Sequence, residues 1–269
     1  MKHIFYIFSF LVLIVTISSC TKVINLDLKD SDPQYVIEGM VNKDDSVHFV
    51  FISQSVLFST NNVFPNVSGA IVTISDNLNN SEVLTEIIPG KYATAHLLGV
   101  EGRTYTLTVQ IADKVFTSSS TIPQQVNLDT MVFIDNSFGG NGGKIAIPIR
   151  FDPAGVQNNY KFDMYVSRFT KNKGWEMDSA IQIQNDDFSD GLITQEPLFG
   201  SLGAFMPNDT CKVIMTCIDK DVYKYFYSLS LNEEGGAATP ANPISNISGG
   251  CLGYFSAQTK QTSVFIVPE

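Results

Sequence analysis

Charge is scarce in this chain. Asp, Glu, Lys and Arg make up 16 % of its 269 residues, against about a quarter in a typical soluble domain. Positive charge is scarcer still: 17 basic side chains stand against 27 acidic ones, a formal net charge of −10. A field of that sign argues against nucleic acid and anionic lipid headgroups as partners, since both need a basic surface. The polar surface falls instead to Ser, Thr, Asn and Gln, as in many extracytoplasmic β-proteins.

Groups for catalysis are also few. Histidine occurs three times, and outside the N-terminal run only as His48 and His96. Neither has a nucleophile or acid companion visible in sequence, and a Ser-His-Asp or Cys-His site needs three converging groups. No G-x-S-x-G or H-E-x-x-H occurs. The stretch Gly139-Gly140-Asn141-Gly142-Gly143 lacks the Lys-Ser/Thr and helix of a phosphate loop, so flexibility is its expected property. Asp186, Asp187 and Asp190 offer oxygens to a hard cation but lack the spacing of an EF-hand loop. The expectation is therefore a non-catalytic protein with no cofactor and no bound metal.

Cysteine is limited to four residues with no C-x-x-C and no neighbouring His, which argues against zinc. With Cys20 set aside, Cys211, Cys217 and Cys251 remain, an odd number that leaves at least one thiol unpaired. Cys211 and Cys217 stand six residues apart on one predicted strand, about 20 Å at 3.3 Å per residue, and cannot bridge without a turn. Either Cys251 pairs with one of them, or all three are buried thiols acting as small hydrophobes.

What is present begins at the N-terminus. Lys2 and His3 precede an apolar run from Ile4 to Ile17, broken only by Ser9 and Thr16, and Ser18-Ser19-Cys20 follows. That is the plan of a secretory signal, predicted over residues 1–19. The run is short for a bilayer span of about twenty residues, and no later run is long enough. Ile17-Ser18-Ser19-Cys20 resembles a bacterial lipobox, which would place a lipid on Cys20; each buried acyl CH2 contributes about 0.8 kcal/mol to anchoring. Residues 20–33 read as a tether carrying Asp27, Asp30 and Asp32. They are either a solvated linker or, as in surface-displayed lipoproteins of Bacteroidota, an acidic export signal.

From Gln34 the hydrophobic period is two. Tyr35–Val41, Val47–Ser53, Ala70–Ser75, Glu82–Ile88, Lys91–Ala95, Thr104–Ile111 and Val115–Ile122 read as seven strands separated by turn residues, an Ig-like sandwich over 34–123. Pro123-Gln124-Gln125 marks a boundary to a second β-rich domain over 124–269. Its strands are predicted at Leu128–Ile134, Lys144–Phe151, Asn159–Phe169, Lys212–Ile218, Leu252–Ser256 and Ser263–Val267. One helix is predicted near 221–232, where Val222, Tyr225, Phe226 and Leu229 recur at i, i+3, i+4 and i+7, with Asp219 and Asp221 at its start and Gly235-Gly236 at its end. The fold class is thus mostly β: two antiparallel sandwich-like domains and one short helix. Lys171–Asn208 is poorly periodic, and long irregular stretches in compact domains are usually functional or mobile.

Aromatics are plentiful, and most must be core. Phe58, Phe64, Trp175, Phe188, Phe199 and Phe205 fall in loop-like stretches. They form a candidate partner or ligand surface, or else fold back on their own sandwich.

An ordered set of pieces carries a family resemblance: the lipobox, Ile24-Asn25-Leu26-Asp27-Leu28, Tyr35-Val36-Ile37-Glu38-Gly39, Val67 to Asp76, Pro89-Gly90-Lys91-Tyr92, Gly102-Arg103-Thr104-Tyr105, Asn242-Pro243, Ser245 to Gly250, and Gly253-Tyr254-Phe255. This resembles the Bacteroidota outer-membrane lipoprotein family catalogued as domain of unknown function 4249. The first half is also similar to Ig-like or prealbumin-like modules. The resemblance implies a lipid-anchored outer-membrane protein, displayed on the cell surface, that serves a TonB-dependent transporter in nutrient uptake. A stand-alone glycan- or peptide-binding lipoprotein is the other expectation.

Overall fold

The computed structural model describes residues 32–56, 63–136, 143–169, 174–201, 203–233 and 241–269. The predicted signal segment, Cys20, most of the predicted tether, Phe58, most of the Gly-rich loop and Gly235-Gly236 lie outside them. In chain order the strands are β1 (Tyr35–Asn42), β2 (Phe49–Gln54), β3 (Ile71–Asp76), β4 (Ser81–Val83), β5 (Thr85–Ile88), β6 (Lys91–Ala93), β7 (Thr104–Ile111) and β8 (Lys114–Thr121). Then come β9 (Thr130–Asp135), β10 (Lys144–Phe151), β11 (Asn159–Ser167), β12 (Trp175–Met177), β13 (Gln182–Asn185), β14 (Ile193–Thr194), β15 (Thr210–Ile218) and β16 (Leu252–Ile266). The helix α1 covers Lys220–Glu233, between β15 and β16.

One nine-stranded sheet runs β12-β11-β15-β16-β1-β2-β6-β5, with β13 also paired to β11. Two smaller sheets, β4-β3-β7-β8 and β14-β10-β9, accompany it. The pairings are antiparallel except β1 with β16. Because side chains alternate across a sheet, register decides what is inside. Ile37, Gly39 and Val41 oppose Gly253, Phe255 and Ala257. Farther along, Cys211, Val213 and Met215 oppose Phe265, Ser263 and Gln261. These residues share one face of the large sheet, and the smaller sheets cover it.

Two cores result. The first gathers residues from Ile37 to Ile122 with Ile247, Cys251, Phe255 and Ala257. The second runs from Val126 to Val267 and includes Ala146, Phe162, Met164 and Met215. They fall on the two sides of Pro123 except for the 247–257 segment, which packs in the first. β16 serves both, and Pro33–Glu269 is one compact unit. Gly253 marks the crowding at the start of β16: its φ is +97°, and a Cβ there would lie 2.0 Å from the Ile37 carbonyl oxygen.

Two predicted elements are corrected. Glu82–Ile88 is two strands that join different sheets, β4 and β5, with buried Leu84 at the switch. The separate strands Leu252–Ser256 and Ser263–Val267 are one fifteen-residue strand. The helix is where its period places it. Asp219 is its N-cap: Oδ1 accepts from the backbone N–H groups of Asp221 (3.0 Å) and Val222 (2.9 Å). Its Oδ2 accepts from Ser120 Oγ and the Thr121 N–H of β8, so the cap also ties α1 to the first core. Val222, Tyr225 and Phe226 pack against Ile183 and Tyr254 on the outer face of the large sheet. Among the described residues no helix is long and apolar enough to cross a membrane.

Candidate interaction surface

Beyond the footprint of α1, no described element covers the outer face of the large sheet on its β12–β16 side. Four strands lie side by side there: β12, β11, β15 and β16. One cross-strand row reads Met177, Tyr165, Lys212, Val264, and the next reads Trp175, Ser167, Thr210, Ile266. Strand spacing of about 4.8 Å makes each row about 14 Å wide. Val264 is 57 % and Ile266 71 % exposed, and Trp175 and Met177 are exposed beside them. Alternation explains why: Val213, Phe265 and Val166 take the inward positions, which leaves their neighbours outside.

Lys212 sits inside this apolar field. Its Nζ lies 4.0 Å from the Tyr165 ring centroid and 4.9 Å from that of Trp175, within the range of cation–π attraction. Lys212 is half-buried, as a lysine is when its stem lies along apolar surface. The arrangement is a rigid platform with two rings, aliphatic edges and one central cation. Contiguous exposed apolar surface on a folded domain marks interaction sites.

The sequence-predicted aromatics do not converge. Trp175 belongs to the platform. Phe199 is 66 % exposed and stands between an open cleft of about 510 Å³, lined also by Ser179, Gln182, Ser201 and Ser230, and a smaller one of about 120 Å³. Gln182 holds the Phe199 backbone, its Nε2 donating to the carbonyl at 2.5 Å. Phe188 is exposed on the turn after β13, and Phe64 on the loop after β2. Phe205 is corrected: it is 5 % exposed and packs edge-on against Phe133 in the second core. Sequence reasoning missed Val264, Ile266 and Met177, whose apolar character reads as core.

Other groups with chemical potential are used structurally. His48 donates from Nε2 to the Leu97 carbonyl at 2.7 Å and accepts the Asn42 N–H at Nδ1, 3.4 Å. Burial holds its pKa below the ordinary 6.5. The three cysteines are free and buried, Cys251 in the first core and the other two in the second. Burial pushes the Cys211 thiol up to about 12 and the Cys251 thiol to about 11, far from a reactive thiolate. Asp186 accepts from Asn158, Asp187 from Gln157 and Asn185, and Asp190 from the Gly155 N–H. These acids fasten loops to one another.

A buried ion pair stands out in the second half. Arg150 and Asp152 are both fully buried, with Nε 3.1 Å from Oδ1. Asp152 also accepts from Tyr160 Oη (2.5 Å), Ser189 Oγ (3.1 Å) and Thr194 Oγ1, while Arg150 donates to Gln184 (2.7 Å) and stacks 4.1 Å from the Tyr160 ring centroid. Burial and the hydrogen bond to Asp152 push the Tyr160 pKa up. This network binds β10, β11, β13 and β14 together, a structural use of charge.

No curated protein matches the sequence. The sequence model of the domain of unknown function DUF4249 matches residues 21–263, most of the chain, and the chain belongs to that family.

Proposed function

We propose that this protein is a non-catalytic, lipid-anchored interaction protein of the bacterial outer membrane, of Bacteroidota type, displayed on the cell surface. In this reading Cys20 carries the lipid and the folded unit serves as an accessory of a TonB-dependent β-barrel transporter in nutrient uptake. The observation that carries the interaction role is the outer face of the sheet that no described element covers: Trp175, Met177, Tyr165, Val264 and Ile266 around Lys212. A charge-poor apolar platform on a rigid sheet suits a protein partner, because little polar desolvation opposes its burial. The signal segment and Cys20 supply the anchoring half of the proposal.

The test is gentle solubilisation of the outer membrane followed by affinity recovery of the tagged protein. Co-recovery of a β-barrel transporter, lost in a Trp175→Ala, Ile266→Ser double variant, is the expected result. Recovery of the barrel at equal yield by that variant overturns the assignment of the surface. The Cys20→Ser protein, on this reading, leaves the membrane fraction and takes up no palmitate.

The cleft beside Phe199 favours a second reading, a glycan-binding lipoprotein. Ser179, Ser201, Ser230 and Gln182 line it beside an exposed ring, a mix of polar and apolar lining of the kind sugars use. Retardation in a polysaccharide affinity gel, abolished by Phe199→Ala, distinguishes this reading from the first.

A further inference from the structure

β16 has two partners at different heights. Leu252–Gln258 lies along β1, and Thr259–Ile266 lies along β15. Backbone bonds identify the edges. The Gln258 carbonyl accepts from Lys43 N–H on the β1 side; Val267 donates to Asp209 and accepts from Asn208 on the β15 side. In a strand the N–H and C=O of one residue point to the same edge, and the edge alternates along the chain. Even-numbered residues of β16 therefore face the β1 edge and odd-numbered ones face β15. But β1 ends at Asn42, opposite Gln258. Past that point Lys260, Thr262, Val264 and Ile266 turn their backbone donors and acceptors to an edge with which no described strand pairs. The open edge is about 20 Å long.

The side chains of the same four residues lie on the exposed face. Natural edge strands are blunted by charge, proline or a bulge. Lys260 is the one charged residue here, and Thr262, Val264 and Ile266 are uncharged and β-branched. A row of unmet backbone groups selects another backbone, as in recognition by strand addition. Charge selects further: Lys260 and Lys212 are absent from the ion pairs of the described residues, in a chain of net charge −10.

We infer that the Lys260–Ile266 edge of β16 receives an extended segment of a partner protein as an added antiparallel strand, with apolar residues beside Val264 and Ile266 and an acidic residue beside Lys260. The inference deepens the proposed function and rests on the outer face being an interaction surface; it names the partner's chemistry.

The probe is a capped nine-residue peptide, Thr-Val-Thr-Val-Thr-Ile-Thr-Glu-Thr, added to the full-length protein in detergent. Paired antiparallel, its eighth residue meets Lys260, its sixth Thr262 and its fourth Val264. N-methylation of the fourth and sixth residues removes N–H groups that meet β16; N-methylation of the third and fifth removes N–H groups that point away. Titration calorimetry is expected to show binding of the parent and of the third/fifth analogue. The fourth/sixth analogue is expected to bind at least about tenfold more weakly, since each lost hydrogen bond costs on the order of 1 kcal/mol. Replacing the Glu by Lys is expected to weaken binding too. Thr262→Pro is expected to abolish it, because that N–H faces the open edge and carries no ladder bond. If that variant does not fold, the pair of methylated peptides still decides. Equal affinity of the two analogues, or no binding by the parent peptide, overturns the inference. So does a protein that sediments as a dimer which the peptide does not dissociate, since the edge then holds a second copy. A failed peptide with a successful transporter recovery retires strand addition alone; failure of both retires the interaction surface.

Discussion

The two halves of β16 are one strand in two environments. From Leu252 to Gln258 both edges are met: β1 pairs along one, and on the other Asn246 Oδ1 accepts the Phe255 N–H (2.9 Å) and Ser120 Oγ accepts the Ala257 N–H (2.8 Å). Phe255 and Ala257 are fully buried. From Lys260 to Ile266 one edge is met by β15, the other by no described strand, and the outward side chains stand in solvent. Residue type does not separate the halves, since Val264 and Ile266 are as apolar as Phe255. Neighbours separate them. The first half is a structural seam between two cores, and the second is an exposed margin of the sheet.

Several measurements would break or sharpen that contrast. Phe255→Ala is expected to lower the free energy of unfolding by about 3–5 kcal/mol, the range for buried aromatic truncation. Ile266→Ala in the other half is expected to stay within about 0.5 kcal/mol. Denaturant titration of both variants checks this, and equal losses would erase the distinction. Asn246→Ala strips the side chain that meets both the N–H and the C=O of Phe255. Its expected cost is roughly 1–3 kcal/mol, because the backbone groups it leaves are buried.

A smaller effect comes from pH. His48 bonds Asn42 at the end of β1, and its folded pKa is lowered by burial. Below the ordinary value of 6.5 the unfolded chain binds a proton that the fold resists. Stability is therefore full above about pH 6.5 and declines as pH falls below it. Thermal unfolding between pH 7.5 and 5.5 is expected to show that decline, and His48→Gln is expected to flatten it.

Sequence pattern foresaw part of this and could not foresee the rest. The strands of the first half and the helix were legible, because period two and the Val222-Tyr225-Phe226-Leu229 spacing are local signals. Asp219 was legible as a cap for the same reason. The split of Glu82–Ile88 was not, since Leu84 becomes a switch between sheets only through its tertiary contacts. The union of the last two strands was hidden by Gln258-Thr259-Lys260-Gln261-Thr262, a polar run that reads as a loop. Among the aromatics, Trp175 was readable as a surface ring, but Phe199 and Phe205, six residues apart in one irregular stretch, were not separable. Val264 and Ile266 are exposed because alternation puts them on a face that no described element covers, and neither an uncovered face nor an unpaired edge has a signature in the strand's own residues.

Backbone hydrogen exchange along β16 tests the central claim most directly. In the free monomer the account predicts slow exchange at Phe255 and Ala257, slow exchange at Ser263 and Phe265, and fast exchange at Thr262, Val264 and Ile266, with the last three slowed when a partner strand is bound. Slow exchange at Thr262, Val264 and Ile266 in the free monomer would contradict it, because the edge would then already be occupied.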